Sequence, residues 1–530
     1  MKILIANLGS TSFKYRLFDL PERAADAGAE RELARGGVER IGAAESRVYS
    51  TAAGRTLESV MPVADHAVAV QATLAQLTAE GGPLASVDEV AAVGFKAVHG
   101  GRVSGVVRVD PDVLAAMEEM AAVAPAHNPP YVRAMRLLGE RMPGVPLVAA
   151  FETGFHATVP EKNALYAVPT DWVERYRVRR FGFHGASHRF VAERLGELVP
   201  GRRAISCHLG GSSSVCWIKG GRSVGTSMGM SPQSGLPQNN RAGDLDPFAL
   251  LHVAKLTGRS FEDLLGELSG QAGLAGMSGT SGDMRDLEAA AAAGSDRART
   301  AIDVYVASIR HWLGAGIVEL GGLDAIGFAG GIGENSPLTR AAVLAGLADL
   351  GIAIDPERNE ALTSGERAIH AASSKVAVWV IPTNEELIVA RQTRDLLAAG
   401  CGTPNGKVPD VRRPGDRIGG GHPENSVDDR PPATRRRALP ARREDPVEAG
   451  LHGPDLHRRR HARRGRRAVR TRHPGLQRPP DSRNQVPPHR RRGDRPDRHR
   501  PRRGNRSLQP KVRPPCPPQP PPTSPPSFAR

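Results

Sequence analysis

The amino-acid sequence predicts an α/β fold followed by an unstructured tail, on three observations. Short apolar runs of strand length alternate with segments of helical period through residues 1 to about 398. Several of those runs end in turns rich in glycine and serine. From Cys401 onward the composition changes: 26 of the 44 prolines lie there, with 33 Lys+Arg against 12 Asp+Glu and a single aromatic residue, Phe528.

The elements follow in order. Residues 3–6 form an apolar run entering Asn-Leu-Gly, a strand meeting a turn, and residues 15–20 (YRLFDL) alternate as its hairpin partner. Residues 68–77 and 111–122 have helical period, whereas 91–98 and 145–151 read as buried strands. Residues 204–209 and 214–219 form a second hairpin. A long helical period covers 299–320, a strand at 326–329 runs into glycines, 377–381 is a last strand and 384–397 a last helix.

Charge distribution excludes several functions. The net charge of +16 would point to nucleic acid or a membrane surface if it were spread evenly. It is not: the tail alone carries +21, and residues 1–400 hold 39 basic and 44 acidic side chains. Four cysteines, Cys207, Cys216, Cys401 and Cys516, provide no disulfide framework and no zinc spacing. No run approaches the roughly 18 apolar residues of a membrane span. The start, MKILIANLGS, has too short an apolar run for a signal peptide, so a cytoplasmic setting is expected.

The tail has no apolar period, so it is expected to be disordered. It reads either as an arginine-rich arm binding nucleic-acid phosphates or as a passenger, such as an out-of-frame gene end. The passenger reading is preferred, because no aromatic residues interleave for base stacking and the body is complete without the tail.

Three turns carry the chemistry. Asn7-Leu-Gly-Ser-Thr-Ser-Phe-Lys14 follows the first strand, His208-Leu-Gly-Gly-Ser-Ser-Ser214 joins the second hairpin, and Gly327-Phe-Ala-Gly-Gly-Ile-Gly-Glu-Asn335 follows the 326–329 strand. Backbone N–H groups and hydroxyls in such turns cradle phosphate oxygens, and glycine lets the chain approach a nucleotide closely. Three of them, each at a strand end, point to a nucleotide held between two halves of a protein.

In this order the three turns resemble the phosphate-1, phosphate-2 and adenosine motifs of the acetate and sugar kinase, Hsc70 and actin superfamily. Arg179-Arg-Phe-Gly-Phe-His-Gly-Ala-Ser-His188, Gly225-Thr-Ser-Met-Gly229, Arg241-Ala-Gly-Asp-Leu-Asp-Pro247, Ser281-Gly-Asp-Met-Arg-Asp286 and Ile381-Pro-Thr-Asn-Glu-Glu386 resemble the acetate kinase family within it, over residues 1 to about 398. The resemblance implies a duplicated, actin-like (ribonuclease H-like) two-domain fold. Residues 1–150, completed by the last helix, would form the N-terminal domain and 151–384 the nucleotide-binding domain, with 401–530 as the disordered tail. It also implies a homodimer.

The implied reaction is reversible, in-line transfer of the ATP γ-phosphoryl to a short-chain carboxylate, with Mg²⁺ (or Mn²⁺) and ATP/ADP. By resemblance Asn7 and Glu385 would sit at the metal. Lys14, His208, Leu209, Gly210, Gly211, Ser212, Asp283, Met284, Arg285, Gly331, Ile332, Gly333, Glu334 and Asn335 would hold the nucleotide. Glu152, His184 and Arg241 would be catalytic, and Lys96, Val98, Ala126, Phe183 and Pro232 would form the acid site. An Arg fork and an imidazole donor suit the charge on a transferring phosphoryl group.

Other residues have plainer readings. His99 and His127 are expected to be structural, Asp246 and Asp244 to serve the start of a helix near Pro247 before any metal, and Cys207 to be a small buried residue.

The sequence departs from the family around the acid. Lys96 stands in Phe95-Lys-Ala-Val-His99 where the family has arginine, and Glu152 in Phe151-Glu-Thr-Gly-Phe-His156 where it has aspartate. Gly211 and Ser212 replace Asn and Gly, removing a side-chain donor, and Ala126 replaces a leucine. A relaxed or shifted acid preference, propionate-like or larger, is expected, a methylene being worth about 1–3 kcal/mol. The competing reading is a nucleotide-binding pseudo-kinase.

Overall fold

The computed structural model describes residues 1–399 apart from Ser10, residues 23–28, Ala126 and Leu362. The expectations for the tail and for Ala126 therefore lie outside the described residues.

The first sheet grows from β1 (Lys2–Gly9). On one side β2 (Ser12–Asp19), β3 (Arg31–Glu39), β4 (Ser46–Ala52) and β5 (Arg55–Met61) continue as an antiparallel meander. On the other side lies β6 (Val90–Ala97), parallel to β1. Beyond it, β7 (Val106–Arg108) edges β8 (Leu147–Phe151), which is parallel to β6.

A second sheet follows the same plan. β9 (Arg203–Leu209), β10 (Ser213–Lys219) and β11 (Arg222–Thr226) are antiparallel. β12 (Ala325–Ala329) pairs parallel to β9, and β14 (Ala377–Val380) parallel to β12, with β13 (Arg367–Ala368) antiparallel at the edge. The order β3-β2-β1-β6-β8 thus recurs as β11-β10-β9-β12-β14. This is the duplicated α/β fold the sequence leads one to expect. Parallel neighbours require long crossovers, and the helices His66–Leu77 and Asp296–Leu320 lie in the two that leave the hairpins.

Each sheet has its own apolar core. Leu4, Phe13, Leu17, Val93, Phe95 and Tyr131 belong to the first, and Ile205, Val215, Tyr305, Ile309, Phe328 and Val378 to the second. The expected strands and helices are all present, with ends shifted by a few residues. Sequence periodicity passed over the meander β3–β5 and the helices Asn128–Arg141 and Gly185–Leu198.

The last helix, Glu385–Ala398, starts on Asn384, whose side chain accepts from the Leu387 amide at 3.1 Å. Val389 and Ala390 pack on Ile3, Ile5, Phe18 and Leu20, so the end of the described chain docks on the first sheet. Gly94 permits this: a Cβ there would lie 2.6 Å from Thr393 Oγ1 and 2.8 Å from Ile5 Cδ1. Docking delivers Glu385 and Glu386 to the end of β1.

Candidate active site

The hairpin registers set the first residues. Asn7 and Lys14 are directly paired across β1 and β2, and so share a face. His208 and Ser214 are likewise paired across β9 and β10, leaving 210–212 as the turn between them. Ser213 closes that turn, donating to Gly210 O at 2.9 Å and meeting Tyr305 Oη at 2.8 Å in the core. The third turn leaves β12 through Gly330, at φ +75°, where a Cβ would sit 2.7 Å from Leu209 O. Only glycine accommodates both the left-handed backbone and that approach.

These turns frame two cavities. One, of about 410 Å³, is lined by Gly210, Gly211, Asp283, Met284, Arg285, Gly331, Ile332 and Asn335, the residues expected to hold a nucleotide. Asn239, Glu288 and Ser336 join them and were not singled out in the sequence. The other, of about 310 Å³, is lined by Asn7, Lys96, Val98, Glu152, Phe183, His184, Pro232 and Arg241, the residues expected around the acid and the phosphoryl group. Lys14 and Ser212 line this second cavity, not the first. The 210–212 turn contributes to both.

Several expected nucleotide residues serve from behind. Leu209 is fully buried in the second core, and Gly333 is buried within the helix Gly330–Asn335. Burial pushes the Glu334 carboxyl up, against the pull of the Gly330 backbone. Asp283 caps the helix Met284–Ala292 and pairs with Arg285 at 2.7 Å, which holds its carboxyl low, at about 2.

His184 begins the helix Gly185–Leu198 with φ 57° and ψ 31°, a left-handed backbone rare for a residue with a Cβ. Its ring stacks on His208 at 4.3 Å between centroids. Ser214 Oγ lies 2.8 Å from both His184 Nδ1 and His188 Nε2, and His188 Nδ1 lies 2.8 Å from Ser206 Oγ. Burial, then the neighbouring imidazoles, pushes His184 and His188 well below the usual histidine range. His184 is therefore neutral near pH 7. If Ser214 donates to Nδ1, the Nε2 hydrogen of His184 is left as the free donor.

The carboxylates crowd one ammonium. Lys96 Nζ is 2.5 Å from Glu385 Oε2. Burial opposes the Lys96 charge, but Glu385 and Glu152 outweigh it and raise the pKa well above the usual lysine value. Burial pushes Glu152 up to about 7, against the opposing pull of Lys96. Glu152 Oε1 is buried and has no hydrogen-bond partner. Glu385 is held low by Lys96 and His208 in spite of burial.

The plainer readings fare unevenly. His99 is buried, with Nε2 3.1 Å from Met230 O. Asp246 caps the helix Pro247–Thr257 through the Phe248 amide at 2.9 Å, and Asp244 accepts from Gly235 N. Burial pushes the Cys207 thiol up to about 12, so it is no nucleophile at neutral pH. His127, read as structural, instead lines the acid-side cavity. Beside it Tyr131, missed in the sequence, donates to Asn7 Oδ1 at 3.1 Å and accepts from Leu8 N. The Ala-Pro-Ala-His-Asn-Pro-Pro stretch was the available signal for both, since it begins their helix.

Comparison with known proteins bears on this arrangement. The family model described as the acetokinase family matches residues 2–391. The chain belongs to the acetokinase family. It is 43% identical to the acetate kinase of Clavibacter michiganensis subsp. michiganensis over 409 residues, 76% of this chain and 99% of that protein. It is 40% identical to the acetate kinase of Shouchella clausii over 397 residues, 74% and 98% of the two chains. Among solved structures, the acetate kinase of Porphyromonas gingivalis is 36% identical, with TM-score 0.68 and coverage of 75% and 99%. A propionate kinase from Francisella tularensis is 30% identical, with TM-score 0.67 and coverage of 74% and 98%. This acetokinase-family member is thus a phosphotransferase with a carboxyl acceptor, and the matched length is the described body.

Proposed function

We propose that the enzyme transfers the γ-phosphoryl group of ATP to a short-chain carboxylate, acetate or a propionate-like acid, reversibly and by direct in-line displacement. The observation that carries this is the shared 210–212 turn. It places a nucleotide-sized cavity against a small one that holds Arg241, His184 and Lys96. An oxygen of the acid attacks the γ-phosphorus as the bond to ADP breaks. Arg241 and the neutral His184 Nε2–H face the charge that spreads over the three phosphoryl oxygens. Lys96 neutralises the acid, and Val98, Phe183 and Pro232 contact its apolar end. Glu152, with a buried Oε1 that has no hydrogen-bond partner, positions the reacting groups. Sequestering the acid between the two halves keeps water from competing for the phosphoryl group.

The donor set suits Mg²⁺ or Mn²⁺. Among the described residues no group of three or more His, Cys, Asp and Glu forms a metal cage. A hard cation held by one or two protein oxygens and by nucleotide phosphates needs none. Asn7 and Glu385 would hold it, and it would neutralise phosphate charge.

The same reading divides the body into domains 1–150, closed by the last helix, and 151–384. It also makes the enzyme a cytoplasmic homodimer. The exposed apolar surface of the helices Pro247–Thr257 and Phe261–Gly270 supports the dimer. No residue of the first is buried, and Phe248 and Leu256 are 75% and 73% exposed. No helix among the described residues is long and apolar enough to cross a membrane.

The test is acyl phosphate trapped as hydroxamate, with ATP and Mg²⁺, across formate, acetate, propionate, butyrate and isobutyrate. Turnover that disappears in His184→Ala is expected. Retained ATP binding with no turnover on any acid would replace this reading with a pseudo-kinase. Acetate exceeding propionate and butyrate tenfold in kcat/KM would reject the shifted preference.

A further inference from the structure

Arg241 is a half-buried arginine without an acidic partner among the described residues. Burial lowers its pKa, and among the described residues no carboxylate offsets that cost. Its Nη1 donates instead to neutral oxygens: Gln238 Oε1 at 2.8 Å, Pro232 O at 3.1 Å and, at the long limit of 3.4 Å, Ser212 Oγ. Gln238 is the centre of this network. It is fully buried, its Nε2 donates to Pro232 O at 2.8 Å, and its Oε1 also accepts from Ser212 Oγ at 2.8 Å. One donor facing a carbonyl and one acceptor facing two donors leave a single sensible amide orientation.

The same segment reaches the nucleotide. Gln238 N donates to Arg241 O at 3.0 Å and closes a tight turn. The next residue, Asn239, donates from its backbone N to Gly211 O at 3.0 Å and lines the nucleotide cavity. Residues 238–241 therefore tie the 210–212 turn to the guanidinium by two routes, one through backbone and one through the Ser212–Gln238 side chains. Ser212 belongs to the stretch where a family side-chain donor is missing.

We propose that Gln238, acting with Ser212, is a positioning residue for Arg241. It fixes Nη1 with a neutral acceptor, so that the guanidinium stays fully charged for the phosphoryl oxygens and its direction depends on the seating of the nucleotide turn. A carboxylate at this position would hold the group as firmly and cancel its charge. A residue without an acceptor would leave the charge and lose the direction. The inference rests on the phosphoryl role of Arg241 given above.

Steady-state kinetics of the full chain with ATP and the best acid, beside melting temperatures, test this. Gln238→Met should lower kcat by about tenfold or more while KM for ATP moves less than about threefold. Ser212→Ala should lower kcat in the same direction, and the double variant should be little worse than Gln238→Met, as for two groups acting as a unit. Gln238→Glu, which keeps the acceptor, should lose at least as much kcat as Gln238→Met. Wild-type kcat in Gln238→Met, with only a lower melting temperature, overturns the inference. So does a loss in the double variant equal to the product of the two single losses. Should Gln238→Met not fold, the Gln238→Glu and Ser212→Ala kcat values decide alone, wild-type values in both overturning it. Arg241→Ala separates the premises: retained turnover there rejects the role of Arg241 itself, whereas its loss beside unaffected Gln238 variants rejects only the positioning role of Gln238.

Discussion

Lys96 Nζ lies 2.5 Å from Glu385 Oε2, joining the end of β6 to the first turn of the last helix. The family arginine expected to grip the acid is here a lysine already engaged by a carboxylate assigned to the metal. An ammonium is a point charge that the two carboxylates must share, without the two-pronged geometry of a guanidinium fork. Lys96→Met should leave Glu385 buried without a cation and destabilise the metal-free enzyme by about 2 kcal/mol, less than a fully buried pair because both side chains keep some exposure. Mg²⁺ should then raise the melting temperature of Lys96→Met more than that of the wild type, the metal taking the place of the ammonium. Equal Mg²⁺ shifts in the two proteins would remove Glu385 from the metal site.

His184 carries a left-handed backbone that glycine adopts freely. The strain costs a residue with a Cβ about 1–2 kcal/mol. His184→Gly should therefore be more stable than His184→Ala by about 1 kcal/mol. Both should lose turnover by on the order of 10²–10³-fold, the usual loss for an oxyanion-stabilising donor. Chemical denaturation of the two variants beside hydroxamate kinetics checks this. Equal stability would mean that the surrounding structure relaxes when the imidazole is removed.

Glu152 gives a pH signature in the metal-free enzyme. Its folded pKa of about 7 lies above the ordinary glutamate value of 4.5. Between those values the folded state binds the proton and the unfolded state has released it. Stability from this group is therefore full below about 4.5, falls as pH rises through about 7, and is flat above. Glu152→Gln has no such proton to lose. Its melting temperature should match the wild type near pH 5 and exceed it near pH 8, in the absence of divalent metal. Parallel curves across that range would show that Glu152 is already ionised at low pH.

The parts of the site legible in sequence are those where backbone chemistry leaves a mark. Gly330, His208 and Asn7 sit at strand ends whose turns demand small or polar residues, so apolar runs and glycine spacing located them. Tyr131, Gln238 and Asn239 left no such mark. Tyr131 reaches Asn7 only because the helix Asn128–Arg141 packs under β1, and Gln238 reaches Arg241 through a turn in an irregular segment. The outer strand of the meander, β5, was missed for a different reason. All seven residues of β5 are exposed, so it has no buried face to impose an apolar alternation. Lys96 and Glu152 were legible as departures, but Glu385, the partner of Lys96, lies 289 residues from it and is brought there by tertiary docking.

The exposed pair of helices makes the dimer testable. Phe248, Leu256, Phe261 and Leu265 are each about half exposed or more. Burying a large apolar side chain is worth about 1.5–3 kcal/mol, so a charge at two such positions should separate the subunits. The double substitution Phe248→Asp, Leu256→Asp is expected to sediment as a monomer with an unchanged melting profile at low protein concentration. A dimer that persists in this variant places the interface elsewhere.

Gly94 links packing to the carboxylate proposed to hold the metal. Its missing Cβ lets the last helix lie against β6, and that helix carries Glu385 at its first turn. Gly94→Ala would force the new methyl against Thr393 Oγ1 and Ile5 Cδ1, and overpacking of this kind typically costs about 1–3 kcal/mol. Thr393 also donates to Val389 O at 2.8 Å, so the helix has no cheap way to yield at that point. The helix should lift as a unit and draw Glu385 away from Asn7. Gly94→Ala is therefore expected to lower the melting temperature and to weaken Mn²⁺ binding in the presence of ADP, with KM for the acid changing less. Lower stability with unaltered Mn²⁺ affinity would show that Glu385 is held in place by Lys96 and not by the docking of its helix.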